Sequence, residues 1–407
     1  MTQATTVGSA DPSHTPSGPR SRLKNALVDA DDLMDAARRR LDSRLGRNLP
    51  RHLAAYRGYA DARGAELFGR VLAREPRGGP GETDGWLDNL LNTYRRFDSR
   101  EVPGVALKVR FRDAEVDALS DHEGYYTAAI ATASTPSEQL WDNATTSLRD
   151  GTLSTAQPIM QVGEEAGYGV ISDIDDTILH SSITSWKTAA QLTFLHNART
   201  RQPLLGVAGL YQALQDGADH SGRHPIFYVS SSPWNLYDLL EDFMDLNAIP
   251  PGPIFLRDFG IDPGKFIATP GHHHKLDRAR MLIERFPQLR WVLMGDSGQA
   301  DAGLYSEAAR TYGDRIAAIY IRDVDPDDDS AHDLRTDCHI ERVAGTSVPM
   351  LRVSDSFAIA EHAAGLGLLD PQAVARVASE VLHDQHRPSL AEAAVDGAVG
   401  VGPSPGD

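Results

Sequence analysis

Beyond Gly167 the chain alternates short, wholly apolar runs with helical stretches, and few folds accommodate that alternation. The runs are Tyr168 to Ile171, Ile226 to Val229, Trp291 to Met294 and Ile316 to Ile321. Apolar at successive rather than alternate positions, each suits a strand buried on both faces, the situation of a parallel sheet between helices. Helical stretches fall near Ser185 to Arg199, Val207 to Asp216, Trp234 to Leu246, Lys275 to Arg285 and Ala300 to Tyr312. The expectation over residues 166–384 is an α/β domain with a doubly wound parallel sheet.

Residues 51–165 carry a different signal. Val105, Leu107, Val109 and Phe111 alternate with Ala106, Lys108 and Arg110, the turn Ser120 to Gly124 follows, and Tyr125, Tyr126 and Ile130 suit a return strand. Further strands are expected over Leu53 to Tyr59 and Ala65 to Leu72, with a helical insertion over Trp86 to Arg96, so this part reads as a small β-sandwich domain. Within 19–50, Leu27, Ala30, Met34, Ala37, Leu41 and Leu45 follow three- and four-residue steps and predict an N-terminal amphipathic helix. Its Arg38, Arg39, Arg40, Arg44 and Arg47 suit anionic headgroups, but Asp29, Asp31, Asp32, Asp35 and Asp42 interleave with them and favour packing on protein. Peripheral membrane contact stays open. Residues 1–18 and 385–407, rich in Ser, Pro, Gly and Ala, read as disordered tails.

Composition narrows the function classes. A net charge of −17 disfavours nucleic acid as the partner, because a polyanion requires positive charge to meet it. A single cysteine, Cys338, rules out an intramolecular disulfide. No apolar run approaches the length of a membrane span, and the polar start has no secretory apolar stretch; a cytoplasmic location is the expectation. Nothing in the sequence sets the oligomeric state.

Ligand sites of open α/β sheets lie beyond the carboxyl ends of the strands, so the residues that follow each apolar run carry the chemistry. The first run leads into Ser172-Asp173-Ile174-Asp175-Asp176-Thr177. Two carboxylates at such spacing can both face the crevice, one attacking phosphorus while the other gives a proton to the departing oxygen. A calcium loop also spaces aspartates by two, but Ile178 stands where that loop needs glycine; a solvated turn is the bland alternative. The second run ends in Ser230-Ser231-Ser232-Pro233-Trp234, a cradle for phosphate at a helix N-terminus or merely a helix cap. Lys275 opens its helix after Gly271-His272-His273-His274 and can reach the crevice, although a lone lysine means little. Three adjacent histidines cannot easily share one ion, so loop structure or substrate contact suits His274 better than metal ligation. The third run leads into Gly295-Asp296-Ser297-Gly298-Gln299-Ala300-Asp301, bringing two more carboxylates and completing an oxygen-rich pocket suited to Mg²⁺. The acidic run from Asp323 to Asp333 reads as a solvated loop.

In order, Asp-x-Asp-x-Thr at Asp173 to Thr177, the strand-end Ser230, Lys275 and Gly-Asp-Ser-x-x-x-Asp at Gly295 to Asp301 resemble the motifs of the haloacid-dehalogenase-like superfamily. Within it, Ser-Asp-Ile-Asp-Asp-Thr-Ile, Ser-Ser-Ser-Pro-Trp, Leu-Arg-Asp-Phe-Gly, Gly-His-His-His-Lys and Gly-Asp-Ser-Gly-Gln resemble the actin-patch phosphatidate phosphatase family. The departure is Ser231, where the resemblance leads one to expect Asn. The resemblance implies Asp173 as nucleophile, Asp175 as general acid and base, and Ser230 and Lys275 on the phosphate, with Ser231 a further candidate phosphate contact. It implies Mg²⁺ held by Asp173, the Asp175 carbonyl, Asp296 and Asp301; Thr177 and His274 are further candidate substrate contacts. It also implies dephosphorylation of phosphatidate to diacylglycerol through an aspartyl-phosphate. The segments between the motifs look too short for a large cap, so an open mouth that admits a bulky phosphomonoester is expected. The competing readings are a phosphatase of another phosphomonoester and a non-enzymatic partner-binding protein.

Overall fold

The structure, a computed structural model, describes residues 52–73, 102–132, 139–178, 204–257, 273–324 and 330–386. The expected amphipathic helix, the insertion over 86–96, the helix over 185–199 and nearly all of both tails lie outside them.

The β-rich part contains β1 (His52–Ala55), β2 (Gly58–Asp61), β3 (Gly64–Leu72), β4 (Ala106–Phe111), β5 (Ala114–Leu119), β6 (Tyr125–Ile130), β7 (Trp141–Leu148) and β8 (Ser154–Gln161). The expected sandwich is instead a single eight-stranded sheet, ordered β1-β3-β2-β8-β7-β4-β5, with β6 on the other side of β3. The length of β3 explains the difference: its nine residues pair with β1 and β2 along one edge and with β6 along the other, so no break separates two sheets. The sheet curls around a core of Leu67, Val71, Leu107, Val109, Phe111, Ile130 and Ile159. β5, which precedes the Ser120 turn, is not marked by any apolar run, since its Glu115 and Asp117 face solvent.

The α/β part follows as β9 (Tyr168–Asp173), α1 (Val207–Asp216), β10 (Ile226–Pro233), α2 (Tyr237–Leu246), β11 (Ile254–Arg257), α3 (His273–Arg285) and β12 (Arg290–Asp296). It continues with α4 (Asp301–Tyr312), β13 (Ile316–Arg322), α5 (Ala331–Val343), β14 (Met350–Val353), α6 (Ser356–Gly365) and α7 (Pro371–Gln385). The sheet order is β11-β10-β9-β12-β13-β14, with every pairing parallel. Side chains alternate between its faces. Val170, Tyr228, Met294 and Tyr320 pack with Leu210, Leu240, Ile359 and Val377 of α1, α2, α6 and α7. Ile171, Phe227, Leu293 and Ile319 pack with Leu282, Tyr305 and Val343 of α3, α4 and α5. Both faces are therefore buried, which is why the strands are apolar at every position.

The two parts share core. Tyr59 and Met160 of the curled sheet belong to the same cluster as Phe227 and Phe286, and Tyr56 stacks on Trp234. The backbone N–H of Arg57 donates to the Tyr237 hydroxyl at 2.8 Å, and its guanidinium meets Glu241 at 3.2 Å. Among the described residues no helix is long and apolar enough to cross a membrane.

Candidate active site at the strand switch point

From β9 the chain winds outward to β10 and β11 in one direction, then returns and winds through β12, β13 and β14 in the other. The reversal leaves a crevice at the carboxyl ends of β9 and β12, where open α/β sheets place ligands. Register aligns the ends: Asp173 is level with Val229, and Ser172 with Met294. The residues just beyond these positions, Ser230, Gly295 and Asp296, therefore arrive at one edge with Asp173.

Asp173, the last residue of β9, is fully buried. The chain turns immediately, with Asp176 in the left-handed region at φ 56°, a conformation aspartate tolerates better than most residues. Asp175 and Thr177 are carried back into the crevice, both buried. Ser230 and Ser232 donate their hydroxyls to Asp175 Oδ2 at 2.8 and 3.2 Å, while Asp175 Oδ1 has no hydrogen-bond partner among the described residues. Ser230 is thus placed against Asp175, and its Oγ also accepts from the backbone N–H of Ser232 at 2.9 Å. The Ser231 hydroxyl beside it is buried with no partner among the described residues, as are the Thr177 hydroxyl and His274 Nε2.

Lys275, in the first turn of α3, is 1% exposed at its side chain. Its Nζ lies 2.8 Å from Asp173 Oδ1 in an ion contact, and donates to Asp301 Oδ1 at 2.9 Å and to Gln299 Oε1 at 3.0 Å. Asp301 opens α4, and its Oδ2 accepts from the backbone N–H of Asp296 at 3.3 Å. That carboxylate packs on Gly295 so closely that a Cβ there would stand 2.6 Å from Asp301 Cβ, so only glycine fits.

Electrostatics divides these groups. Burial pushes Asp173 well above the usual carboxylate range, against the pull of Lys275, and Asp301, Asp296 and Asp175 add to the rise. Burial and the neighbouring Asp301 do the same to Asp296. Burial raises Asp175 too, opposed by the hydrogen bond from Ser230. Burial alone would lower Lys275, but Asp173 and Asp301 outweigh it and hold the ammonium firmly charged. Burial lowers His274 to about 4, helped by the charges of Arg278, Arg257 and Lys275.

Asp173, Asp296 and Asp301 present carboxylate oxygens within 4.8 Å of one another, all buried. With all three ionised, one ammonium would leave two negative charges uncompensated in a buried place; the upward push on Asp173 and Asp296 reflects that cost, and a divalent cation would offset it. An all-oxygen donor set suits Mg²⁺ rather than a thiolate- or imidazole-seeking metal. Ser232, expected in a phosphate cradle, instead donates to Asp175, and Gln299, which nothing in the sequence singles out, joins the carboxylates. No periodicity marks either, because each acts through a neighbour distant in sequence.

Comparison with known proteins bears on this half of the chain. The family described as "Phosphatidate phosphatase APP1, catalytic domain" matches residues 168–323, a stretch that holds every site residue above. Phosphatidate phosphatase APP1 of Saccharomyces cerevisiae is 36% identical over 157 residues, 38% of this chain and 26% of that protein. An uncharacterized protein of Schizosaccharomyces pombe is 29% identical over 160 residues, 39% of this chain and 25% of its own. The match thus spans about a quarter of the length of each of these relatives, and the curled sheet lies outside it. Residues 168–323 of the chain are thus similar to the catalytic domain of phosphatidate phosphatase APP1.

Proposed function

We propose that the protein is a Mg²⁺-dependent phosphatidate phosphatase with a haloacid-dehalogenase-like arrangement, working through an aspartyl-phosphate on Asp173. The carrying observation is that two buried carboxylates share one crevice in different surroundings. Asp173 is backed by a charged lysine, whereas Asp175 is held by two hydroxyls, its other oxygen having no partner among the described residues. Such a pair divides nucleophile from acid and base.

In this reading Asp173 attacks phosphorus, and the bond to the glyceride oxygen breaks as Asp175 delivers a proton to it, releasing diacylglycerol. Asp175, now ionised, takes a proton from water, whose oxygen attacks the aspartyl-phosphate; phosphate leaves and the Asp173 carboxylate is restored. Lys275 favours the ionised form of Asp173 against the effect of burial and offers positive charge to the phosphoryl oxygens. Ser230 and Ser232 orient Asp175, and the hydroxyls of Ser231 and Thr177, without partners among the described residues, are available to the phosphate. Asp173, the Asp175 carbonyl, Asp296 and Asp301 would hold Mg²⁺, which when bound offsets the like charges of nucleophile and phosphate.

A cleft beside α3 offers a place for a lipid's chains: Tyr56, Phe68, Trp234 and Phe255 line it together with charged residues such as Arg63, Arg278 and Arg285, while Asp173, Asp175 and Lys275 are not part of its lining. Contact with a membrane surface, where phosphatidate resides, is part of the proposal. The test is phosphate release from phosphatidate in mixed micelles with Mg²⁺, beside an aryl phosphate. Asp173→Asn is expected to lose at least about 10³-fold on both substrates with its circular dichroism unchanged. An Asp173→Asn protein as active as wild type overturns the nucleophile, and equal turnover of both substrates by wild type overturns the lipid assignment.

A further inference from the structure

The carboxamide of Gln299 lies among the same oxygens that the proposed function gives to the cation. Its Nε2 is 2.8 Å from Asp296 Oδ2 and 3.3 Å from both Asp173 Oδ2 and the Asp175 carbonyl oxygen. Its Oε1 accepts from Lys275 Nζ at 3.0 Å. The network fixes which end is which. Reversed, the amide oxygen would face three acceptors and the NH₂ group would face an ammonium.

Mg²⁺ binds oxygens at about 2.0–2.1 Å. The lone pairs it would use on these oxygens are directed at Nε2, so the amide and the ion compete for them. Resting on the proposed function, we infer that Gln299 is an internal competitor of the cation, satisfying its ligands in the metal-free protein and swinging out when it binds. The swing is sterically available, because Gln299 is half-buried and follows the exposed Gly298 on the turn between β12 and α4. The amide has a reason to be there: without it, Asp173 and Asp296 would face each other with no donor between them, in a pocket where buried like charges repel strongly.

The exchange has a second effect. Lys275 gives one N–H to Gln299 Oε1, and departure of the amide releases that N–H toward the crevice. Cation binding then prepares Lys275 to receive a phosphoryl oxygen, so the two ligands are positively coupled. Gln299 is in this sense a positioning residue, acting through the cation's ligands and through Lys275.

Calorimetric titration with Mg²⁺ alone tests the inference without reference to turnover. Wild type, Gln299→Ala, Gln299→Met and Asp296→Asn are compared, methionine keeping bulk without the amide. Both Gln299 variants are expected to bind Mg²⁺ about 5- to 10-fold more tightly than wild type, the release of one hydrogen-bonded competitor. They are also expected to melt lower than wild type in EDTA and to bind inorganic phosphate more tightly there. Mg²⁺ affinity equal to or weaker than wild type in both Gln299 variants overturns the inference while leaving the cation site intact. If wild type binds no more Mg²⁺ than Asp296→Asn, the cation reading itself fails and the inference fails with it.

Discussion

Asp173 and Asp175 are two residues apart, yet the groups around them come from four different elements. Lys275 arrives from α3, Asp301 from α4, Gln299 from the turn after β12, and Ser230 and Ser232 from the end of β10. The assignment of Asp175 as proton donor predicts a dependence on leaving group. Asp175→Asn should slow release from phosphatidate, whose alkoxide needs a proton, by about 10²-fold or more, and slow an aryl phosphate much less. Equal losses on the two substrates would count against that role. His274 supplies a pH prediction. Its folded pKa of about 4 lies below the ordinary 6.5, so as pH falls through that interval the unfolded chain takes up a proton that the folded chain refuses. Its contribution to stability is present above pH 6.5 and lost toward pH 4. His274→Asn should therefore melt with a weaker dependence on pH across this range, measured as the difference from wild type in thermal scans. Parallel curves would show that burial of this imidazole does not act as described.

At the level of elements, the strands that a local pattern marks are the ones whose burial is uniform. β9, β12 and β13 are buried along nearly their whole length, and their sequences say so. β11 and β14 have four residues each, too few to separate from loop by periodicity, and they form because β10 and β13 offer them an edge. The turn joining β12 to α4 carries the tightest local constraint. Gly295→Ala should push Asp301 away from Lys275 and from the Asp296 amide, since the added methyl would stand 2.6 Å from Asp301 Oδ2. Overpacking of this kind costs about 1–3 kcal/mol, and activity should fall further than stability, as read by comparing melting temperature with turnover. A variant with wild-type turnover would show that the Asp301 carboxylate need not be held there.

For the molecule as a whole, the curled sheet shares its core with the α/β layer. Tyr59 of β2 meets Phe227, Phe255 and Phe286 edge to face, with ring centroids 5.7, 6.2 and 5.8 Å away. Tyr59→Ala should cost about 3–5 kcal/mol and lower the melting of both parts together, as one transition in calorimetry. Two separated transitions would mean that the parts fold independently. This shared core was not legible in the sequence, which presents residues 51–165 as a separate β domain, because an aromatic residue in a strand carries no mark of the layer it will face.

What the sequence by itself determined is what depends on near neighbours along the chain. Apolar runs at successive positions specify parallel strands, and the polar residues that follow them must then lie toward the carboxyl edge of the sheet: Asp173 and Asp296 end their strands, while β10 continues past Ser230 to Pro233. Tertiary structure decided what depends on residues far apart. It joined the strands of the β-rich part into one curled sheet through the two edges of β3, turned Ser230 and Ser232 onto Asp175, and set the Gln299 amide against Asp173 and Asp296. Hydrogen-bond partners more than a hundred residues apart, as Gln299 and Asp173 are, leave no periodic trace; only the folded chain brings their atoms within reach.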